Sequence, residues 1–322
     1  MHTTISELYT HAFQSQPVSK KLASRLIGTL PHSLLDLFAA ARGAAYQSGT
    51  THFTCGIINA KSGGCRENCS FCVQSQYHRG NTPVHPLASM DSLLKRAEEL
   101  AKSNVRRMGI VTSGTSPSPK DFDCICEAAA CIMERVDIQL CASLGLLSRE
   151  QGAALRQAGF TRYHHNLETS ESYYPKVCTT HAYRLRVETV TNAKYAGLQV
   201  CSGGIFGLGE SWAHRIELAD TLGELGVDSI PVNFLIPQKG TPLENNTLLS
   251  PQEALAIIAI LRLMNPTRDV VVCGGRELVL REWVNMSFSA GANGIMVGNY
   301  LTAQGSALQT DAAMLATLGI QL

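Results

Sequence analysis

Three cysteines lie within a span of eight residues in the segment SGGCRENCSFCVQSQYHRG, at Cys65, Cys69 and Cys72. Thiolates at this Cys-x3-Cys-x2-Cys spacing, in a segment rich in Gly, Ser and Asn, can surround a single metal centre. Structural zinc usually takes four protein ligands, and no second cysteine pair follows closely enough to supply the fourth. A cubane [4Fe-4S] cluster has four irons, so three thiolates leave one iron open to bind a small molecule as a Lewis acid. The spacing therefore favours an iron–sulfur site over an incomplete zinc knuckle or cysteines without a role.

The composition of the chain is that of a globular protein from a reducing compartment. Its 322 residues are 45% hydrophobic and carry a net charge of +1, which argues against nucleic acid or an acidic membrane as the main partner. The N-terminus lacks the pattern of a secretory signal, and no apolar run approaches the roughly 18 residues that span a bilayer. We therefore expect a cytoplasmic protein whose 11 cysteines are metal ligands, reactive groups or core residues rather than disulfides.

Short apolar runs alternate with helix-like segments along most of the chain. Eight runs have the length and composition of buried strands: TCGIINA, RRMGIVTS, VDIQLCASLG, TRYHHNL, LQVCSGGI, SIPVNFLI, DVVVCGG and NGIMVG. Segments of helical periodicity separate most of them, and several of these segments begin at Ser or Asp and end at Gly. Eight strand–helix units fit a closed (β/α)8 TIM-type barrel better than an open doubly wound sheet. The sequence thus predicts an α/β fold, with an N-terminal helical extension over residues 1–50 and a barrel domain over 51–322.

Active sites of such barrels lie at the carboxyl ends of the strands. Residues that could do chemistry lie in or just after the strand candidates: Cys65–Cys72, Met108–Gly114, Cys141, Asn166, Cys201, Asn233, Cys273 and Arg276. We therefore expect all of these residues to face one cavity.

The three-cysteine segment, with Phe71 just before its last cysteine, resembles the signature of the radical S-adenosylmethionine (SAM) enzymes. The resemblance implies that the open iron binds the amino and carboxylate groups of SAM. It also implies that an electron from the cluster cleaves SAM to methionine and a 5′-deoxyadenosyl radical, with Phe71 near the adenine.

Further segments resemble those of the biotin synthase family, in the same order and at similar spacing. They are YHHNLETS, VCSGGIFGLGE, VNFLIPQKGTPLE and AGANGIMVGNYLT, and the similarity extends from about residue 50 to about residue 302. The resemblance implies insertion of sulfur between C6 and C9 of dethiobiotin, with an auxiliary iron–sulfur cluster as the sulfur donor. It also implies an electron donor such as flavodoxin or ferredoxin, and a homodimer. A related enzyme of hydrogenase-maturation or methylornithine type, or a non-catalytic iron–sulfur protein, is the alternative.

The ligands of the auxiliary cluster depart from the familiar form of the family, which has three cysteines and one arginine around a [2Fe-2S] cluster. Cys141 and Cys201 match two of those cysteines, but Arg107 stands where the first one is expected. Arg276 matches the arginine, and Cys273 is an additional cysteine in the same segment. We therefore predict a ligand set of Cys141, Cys201 and Cys273 around a [4Fe-4S]-type cluster, with [2Fe-2S] as the alternative. A break at the glycine pair after Cys273 would allow Arg276 to face the same site.

Six further residues have roles that the resemblance implies. Asn166 would bind the ureido ring of dethiobiotin or the SAM ribose, and Glu168 the ribose hydroxyls. Asn233 would be a second ureido ligand, because an amide offers both a donor and an acceptor to a cyclic urea. Arg186 would pair with the SAM carboxylate, and the backbone at Met108–Gly109 would meet the SAM amino group.

The remaining five cysteines are predicted to be inert. Cys124 and Cys126 are two residues apart on one helix candidate, so their side chains diverge and cannot share an ion. We expect them, with Cys131, to pack on the outside of the barrel. Cys55 and Cys178 are interpreted as core or loop residues.

Overall fold

The strands of the protein form one parallel sheet that closes on itself. The computed structural model describes residues 2–28, 30, 32–303 and 305–320. The strands are β1 (Phe53–Lys61), β2 (Arg107–Thr112), β3 (Gln139–Ser143), β4 (Phe160–His164), β5 (Gln199–Cys201), β6 (Gly204–Phe206), β7 (Ser229–Phe234), β8 (Asp269–Val272) and β9 (Gly294–Met296). Each strand pairs in parallel with its neighbours, and β1 pairs with both β2 and β9. Since β5 and β6 are halves of one interrupted strand and β5 also pairs with β7, the sheet is the predicted eight-stranded (β/α)8 barrel.

Helices surround the barrel and precede it. Those before β1 are α1 (His2–Phe13), α2 (Lys20–Ile27) and α3 (Leu34–Gln47). The later helices are α4 (Met90–Lys102), α5 (Pro119–Arg135), α6 (Arg149–Gln157), α7 (Tyr183–Tyr195), α8 (Trp212–Glu224), α9 (Pro251–Met264), α10 (Arg276–Val279), α11 (Met286–Ser289) and α12 (Leu308–Thr317). Short 3-10 turns lie at Tyr174–Lys176 and Arg281–Trp283. Within the described residues, no helix is both long and apolar enough to cross a membrane.

Serine side chains begin four of the outer helices. Ser89, Ser118, Ser148 and Ser250 each accept a hydrogen bond from a backbone N–H in the first turn of the helix that follows. Such a cap satisfies a donor that has no partner within the helix, so these serines fix where the helices begin.

The N-terminal helices cover helix α9 of the barrel. Residues on every side of α9 are buried, because α3 packs on the face that would otherwise meet water. The backbone N–H of Val18 donates to the carbonyl of Leu263 (2.9 Å), and Lys20 pairs with Asp220 of α8 (2.7 Å). These contacts join the N-terminal helices to the barrel. The boundary between the extension and the barrel domain at residue 50 stays a prediction.

Alternate residues of each strand face the barrel axis. In β1, a Cβ atom at Gly56 would lie 2.8 Å from the Leu100 side chain of α4, so Gly56 faces the helices. Phe53, Cys55 and Ile57 line the internal cavity instead. The same alternation along the other strands decides which side chains reach the site.

The break between β5 and β6 positions a loop of the site. The N–H of Gly203 donates to Oδ1 of Asn166 (3.2 Å), and its carbonyl accepts from the N–H groups of Leu167 and Glu168. A Cβ atom at Gly203 would lie 2.1 Å from the carbonyl oxygen of Pro231. Only glycine therefore fits between β7 and the loop after β4.

We expect Gly203→Ala to lower the free energy of unfolding by more than about 2 kcal/mol, because the added methyl group meets backbone rather than a movable side chain. Urea unfolding followed by circular dichroism measures the change. Gly43→Ala in α3 is the control. Its added methyl group would lie 3.9 Å from the nearest atom, in the Phe13 ring, so the stability of this variant should not fall. Equal stability of the Gly203→Ala variant and the wild type would contradict this packing.

Candidate active site

A single cavity of about 430 Å³ occupies the barrel interior and its carboxyl-end opening. This volume lies in the usual range for small-molecule sites. Seven of the 11 cysteines line it: Cys55, Cys65, Cys69, Cys72, Cys141, Cys201 and Cys273. The loop cysteines and the barrel cysteines therefore share one cavity.

The three-cysteine loop folds back on itself directly after β1. Gly63 and Gly64 both have positive φ (+80° and +64°), a conformation that glycine adopts without strain. The N–H of Cys65 then donates to the carbonyl of Gln74 (3.0 Å), and the N–H of Gln76 returns a bond to Cys65 (2.8 Å). The glycine pair thus turns the chain so that all three thiols face the cavity.

Two of the three loop thiols, those of Cys65 and Cys72, have the surroundings of iron–sulfur ligands. Burial raises the pKa of Cys65, and it raises the pKa of Cys72 to about 11. Backbone N–H groups of Glu67 and Gly114 point at the Cys65 sulfur, and that of Gln74 points at the Cys72 sulfur; each lowers the pKa. N–H···S bonds of this kind stabilise cluster thiolates. The donor set therefore fits a [4Fe-4S] cluster held at three corners.

A polar network holds the loop against the segment after β4. The carboxylate of Glu67 accepts hydrogen bonds from Thr115 and Thr180, and it lies 2.7 Å from Nδ1 of His181. Burial would raise the pKa of Glu67, but these hydrogen bonds outweigh it and the pKa lies below its usual value. Buried Cys178 also contacts His181 and Thr180, both at 3.4 Å. Cys178 is thus part of the support of the loop.

Phe71 belongs to a small apolar cluster at the edge of the cavity. It packs against Tyr173, Val177, Leu208 and Leu235, all of which are buried. The cluster offers an apolar wall beside the loop, at the place where adenine is predicted to bind.

A buried arginine organises the loop after β4. Nη1 of Arg186 donates to the carbonyl of Asn166 (2.8 Å) and to Oε1 of Glu168 (3.3 Å). Its Nε donates to the hydroxyl of Tyr174 (2.8 Å). Glu168 has a φ of +69°, which costs energy outside glycine and persists because Gly203 and Arg186 hold it. Arg186, Asn166 and Glu168 all line the cavity, as expected.

The two predicted asparagines approach the cavity from adjacent parts of the barrel. Oδ1 of Asn233 accepts from the N–H of Gly274 (3.1 Å), and its Nδ2 donates to the carbonyl of Gly204 (3.3 Å). Asn166 is fixed in the same way by Gly203. Both amides are half-buried and line the cavity, so their orientation is set before any ligand binds.

Strand β2 meets the site through its backbone. Met108 is fully buried between sheet and helices, whereas Gly109 lines the cavity and pairs in register with Cys141. The side chain of Met108 therefore does not reach the site.

Four cysteines project into the barrel interior below the loop. Cys55, Cys141 and Cys201 lie on β1, β3 and β5, and Cys273 follows β8. Burial raises the pKa of all four thiols, that of Cys55 to about 12. Cys55, interpreted from the sequence as an inert core or loop residue, lines the cavity with the other three cysteines. Its position next to Gly56, which faces the helices, is the sequence signal that it faces the barrel interior.

Arg276 does not line the cavity. Gly275 has a φ of +81° and turns the chain out of the barrel, so Arg276 begins α10. Its Nη2 lies 2.8 and 2.9 Å from the carboxylate oxygens of Asp311 and 3.1 Å from Glu277. Arg276 is absent from the described residues that line the cavity, so the expectation that it faces the same site as Cys273 is wrong.

Two other arginines face the barrel interior. Nη1 of Arg107 and Nη2 of Arg162 lie 3.4 and 3.1 Å from Oε1 of Gln199. Arg162 also lies 3.6 Å from Asp269, and only 4% of it is exposed. Arg162 could not be selected from local sequence patterns, because its orientation depends on the pairing of β4 with β3 and β5.

Comparisons with protein families and solved structures agree with an iron–sulfur site in this barrel. The family model "Radical SAM superfamily" matches residues 60–222, and "Biotin and Thiamin Synthesis associated domain" matches 231–321. The fold is similar to the crystal structure of methylornithine synthase (TM-score 0.83, 19% identity, 98% of this chain and 96% of that one). It is also similar to the FeFe-hydrogenase maturase HydG from Carboxydothermus hydrogenoformans (TM-score 0.81, 18% identity, 98% and 78%). The barrel and its three-cysteine loop thus define a radical SAM enzyme.

Two curated relatives identify the family within that class. The chain is 52% identical to a biotin synthase of Nitratidesulfovibrio vulgaris (strain DSM 19637 / Miyazaki F), over 91% of this chain and 84% of the relative. It is 48% identical to a biotin synthase of Oleidesulfovibrio alaskensis (strain ATCC BAA-1058 / DSM 17464 / G20), over 92% of both chains. The chain belongs to the biotin synthase family, whose cofactors are SAM, a [4Fe-4S] cluster and an auxiliary iron–sulfur cluster.

We expect Arg186→Met to lower the free energy of unfolding by about 3 kcal/mol or more, because Glu168 would be left buried without its partner. Arg184→Met is the matched control on the same helix, since the side chain of Arg184 is 75% exposed and its pair with Glu188 is worth little. Urea unfolding measures both variants. Equal stabilities would contradict the assigned role of Arg186.

Proposed function

We propose that the chain inserts sulfur into dethiobiotin within this one cavity, and that its two groups of cysteines divide the work. The observation that carries the proposal is their arrangement: three thiols at the carboxyl-end opening and four in the interior line the same cavity. A substrate bound between them would face a radical source on one side and a sulfur source on the other.

Cys65, Cys69 and Cys72 hold the [4Fe-4S] cluster in this proposal. When bound, the cluster and SAM supply the 5′-deoxyadenosyl radical that abstracts hydrogen from unactivated carbon, and the auxiliary cluster supplies the sulfur. The protein's task is positional, because hydrogen transfer and sulfur insertion both require reacting atoms near contact distance. The turn at Gly63–Gly64 and the Glu67 network keep the loop above the barrel axis.

Side chains around the loop would bind SAM. The Phe71 ring would contact the adenine, and the carboxylate of Glu168 would accept hydrogen bonds from the ribose hydroxyls. Arg186 positions Glu168 and adds a positive charge near the SAM carboxylate. Met108 and Gly109 lie near the beginning of β2, and their backbone atoms would meet the SAM amino group.

Asn166 and Asn233 would orient dethiobiotin through its ureido ring. A cyclic urea has one carbonyl acceptor and two N–H donors, which two amide side chains can match. Both amides are already fixed by backbone bonds from Gly203 and Gly274, so little side-chain entropy is lost on binding.

Cys141, Cys201 and Cys273 would hold the auxiliary cluster, which we propose to be of the [4Fe-4S] type. Burial raises the pKa of each of these thiols, and the positive charge of a bound metal would favour their thiolate forms.

Three further features belong to the same proposal. The enzyme would be cytoplasmic, consistent with the absence of disulfides among its cysteines, and would receive electrons from a donor such as flavodoxin or ferredoxin. It would act as a homodimer. Its chain would divide into a helical extension over residues 1–50 and a barrel domain over 51–322.

Anaerobic reconstitution with iron and sulfide tests the function. The wild type should bind about eight irons per chain and convert dethiobiotin to biotin with SAM and a reductant. Cys273→Ala should still cleave SAM but form at least tenfold less biotin, because only the auxiliary site is damaged. Cys131→Ala, on the outer helix α5, should behave as the wild type. Cleavage of SAM by the wild type without any conversion of dethiobiotin would contradict the proposal.

A further inference from the structure

Cys55 has the position of a ligand rather than of a packing residue. Its neighbour Gly56 faces α4, so the Cys55 side chain points away from the core that the sheet shares with its helices. The thiol is half-buried and lines the cavity with Cys141, Cys201 and Cys273. A thiol placed there adds little to the packing of the core.

The strand register relates Cys55 to the cysteine that is missing from β2. Arg107 stands where the familiar form of the family is expected to have a cysteine, and Cys55 is the register partner of Arg107 on β1. Paired residues on adjacent strands are separated by about 4.8 Å. The missing thiol is therefore present one strand away, at the same height in the barrel.

The surrounding charge favours an anionic occupant. The guanidinium groups of Arg107 and Arg162 converge on Gln199, and the carboxylate of Asp269 lies 3.6 Å from Arg162. Among the described residues, no carboxylate forms an ion pair with Arg107. Thiolates around a metal centre would balance this excess of positive charge.

We propose that Cys55 is a fourth thiolate ligand of the auxiliary iron–sulfur centre, alongside Cys141, Cys201 and Cys273. The inference rests on the proposed function, because it requires that centre to lie in the barrel interior. Four cysteines are the usual ligand set of a [4Fe-4S] cluster, and three leave it incomplete. Arg107, in place of a ligand, offsets the negative charge that the additional thiolate brings.

Iron analysis and Mössbauer spectroscopy of variants reconstituted anaerobically with enriched iron test this assignment. In Cys55→Ala, the auxiliary centre should fall from about four irons to three or fewer per chain. Cys55→Ser keeps the size of the side chain and offers oxygen, so it should hold more iron than Cys55→Ala with a changed spectrum. Cys126→Ala, another half-buried cysteine but on the outer helix α5, should retain the wild-type iron content and spectrum.

Parallel variants separate the failure of this inference from that of the proposed function. SAM cleavage to 5′-deoxyadenosine should persist in Cys55→Ala and Cys55→Ser, which shows that the fold and the loop cluster are intact. If Cys141→Ala and Cys201→Ala lose auxiliary iron while both Cys55 variants keep the wild-type spectrum, the fourth ligand is refuted and the function stands. If none of these variants loses iron, both proposals are refuted.

Discussion

A closed parallel barrel directs the carboxyl end of every strand, and every second side chain, toward a single axis. The loop after β1 lies at the opening of that axis, and the inward positions of β1, β3 and β5 lie below it. Two groups of thiols that are far apart in sequence consequently line one cavity of about 430 Å³. In the proposed function, a radical source at the opening and a sulfur source in the interior would act on a substrate bound in this cavity.

Burial in this cavity sets the chemistry of the sulfur atoms. A thiol surrounded by protein keeps its proton, and burial is the first cause of the raised pKa of Cys55, Cys141 and Cys273. N–H groups around the loop and guanidinium groups around the barrel cysteines favour the charged form. A bound metal would favour the thiolate form of these cysteines further, because metal ligands must be deprotonated.

Much of the fold follows from local sequence patterns. The eight strand candidates correspond to the observed barrel, with the fifth divided into β5 and β6, because buried strands separated by amphipathic helices have few alternative topologies. Residues that follow strands closely, such as Asn166 and Asn233, line the cavity for the same reason.

Other features depend on geometry that one segment does not reveal. The left-handed turn at Gly275 sends Arg276 to Asp311 of α12, a partner 35 residues away. The pairing of Arg186 with Glu168 depends on how α7 packs beside the loop after β4. Cys55 could have been selected from the period-two alternation of β1, but only the closed barrel shows that it shares a cavity with Cys201.

Transfer of sulfur from the barrel interior to the substrate is the central claim, and an isotope label tests it most directly. The auxiliary centre would be reconstituted with sulfide enriched in a heavy sulfur isotope, and the biotin of the first turnover analysed by mass spectrometry. The shared cavity predicts that this biotin carries the heavy isotope even when unlabelled sulfide is present in solution. Biotin that contains only the sulfur of the solution would contradict the claim.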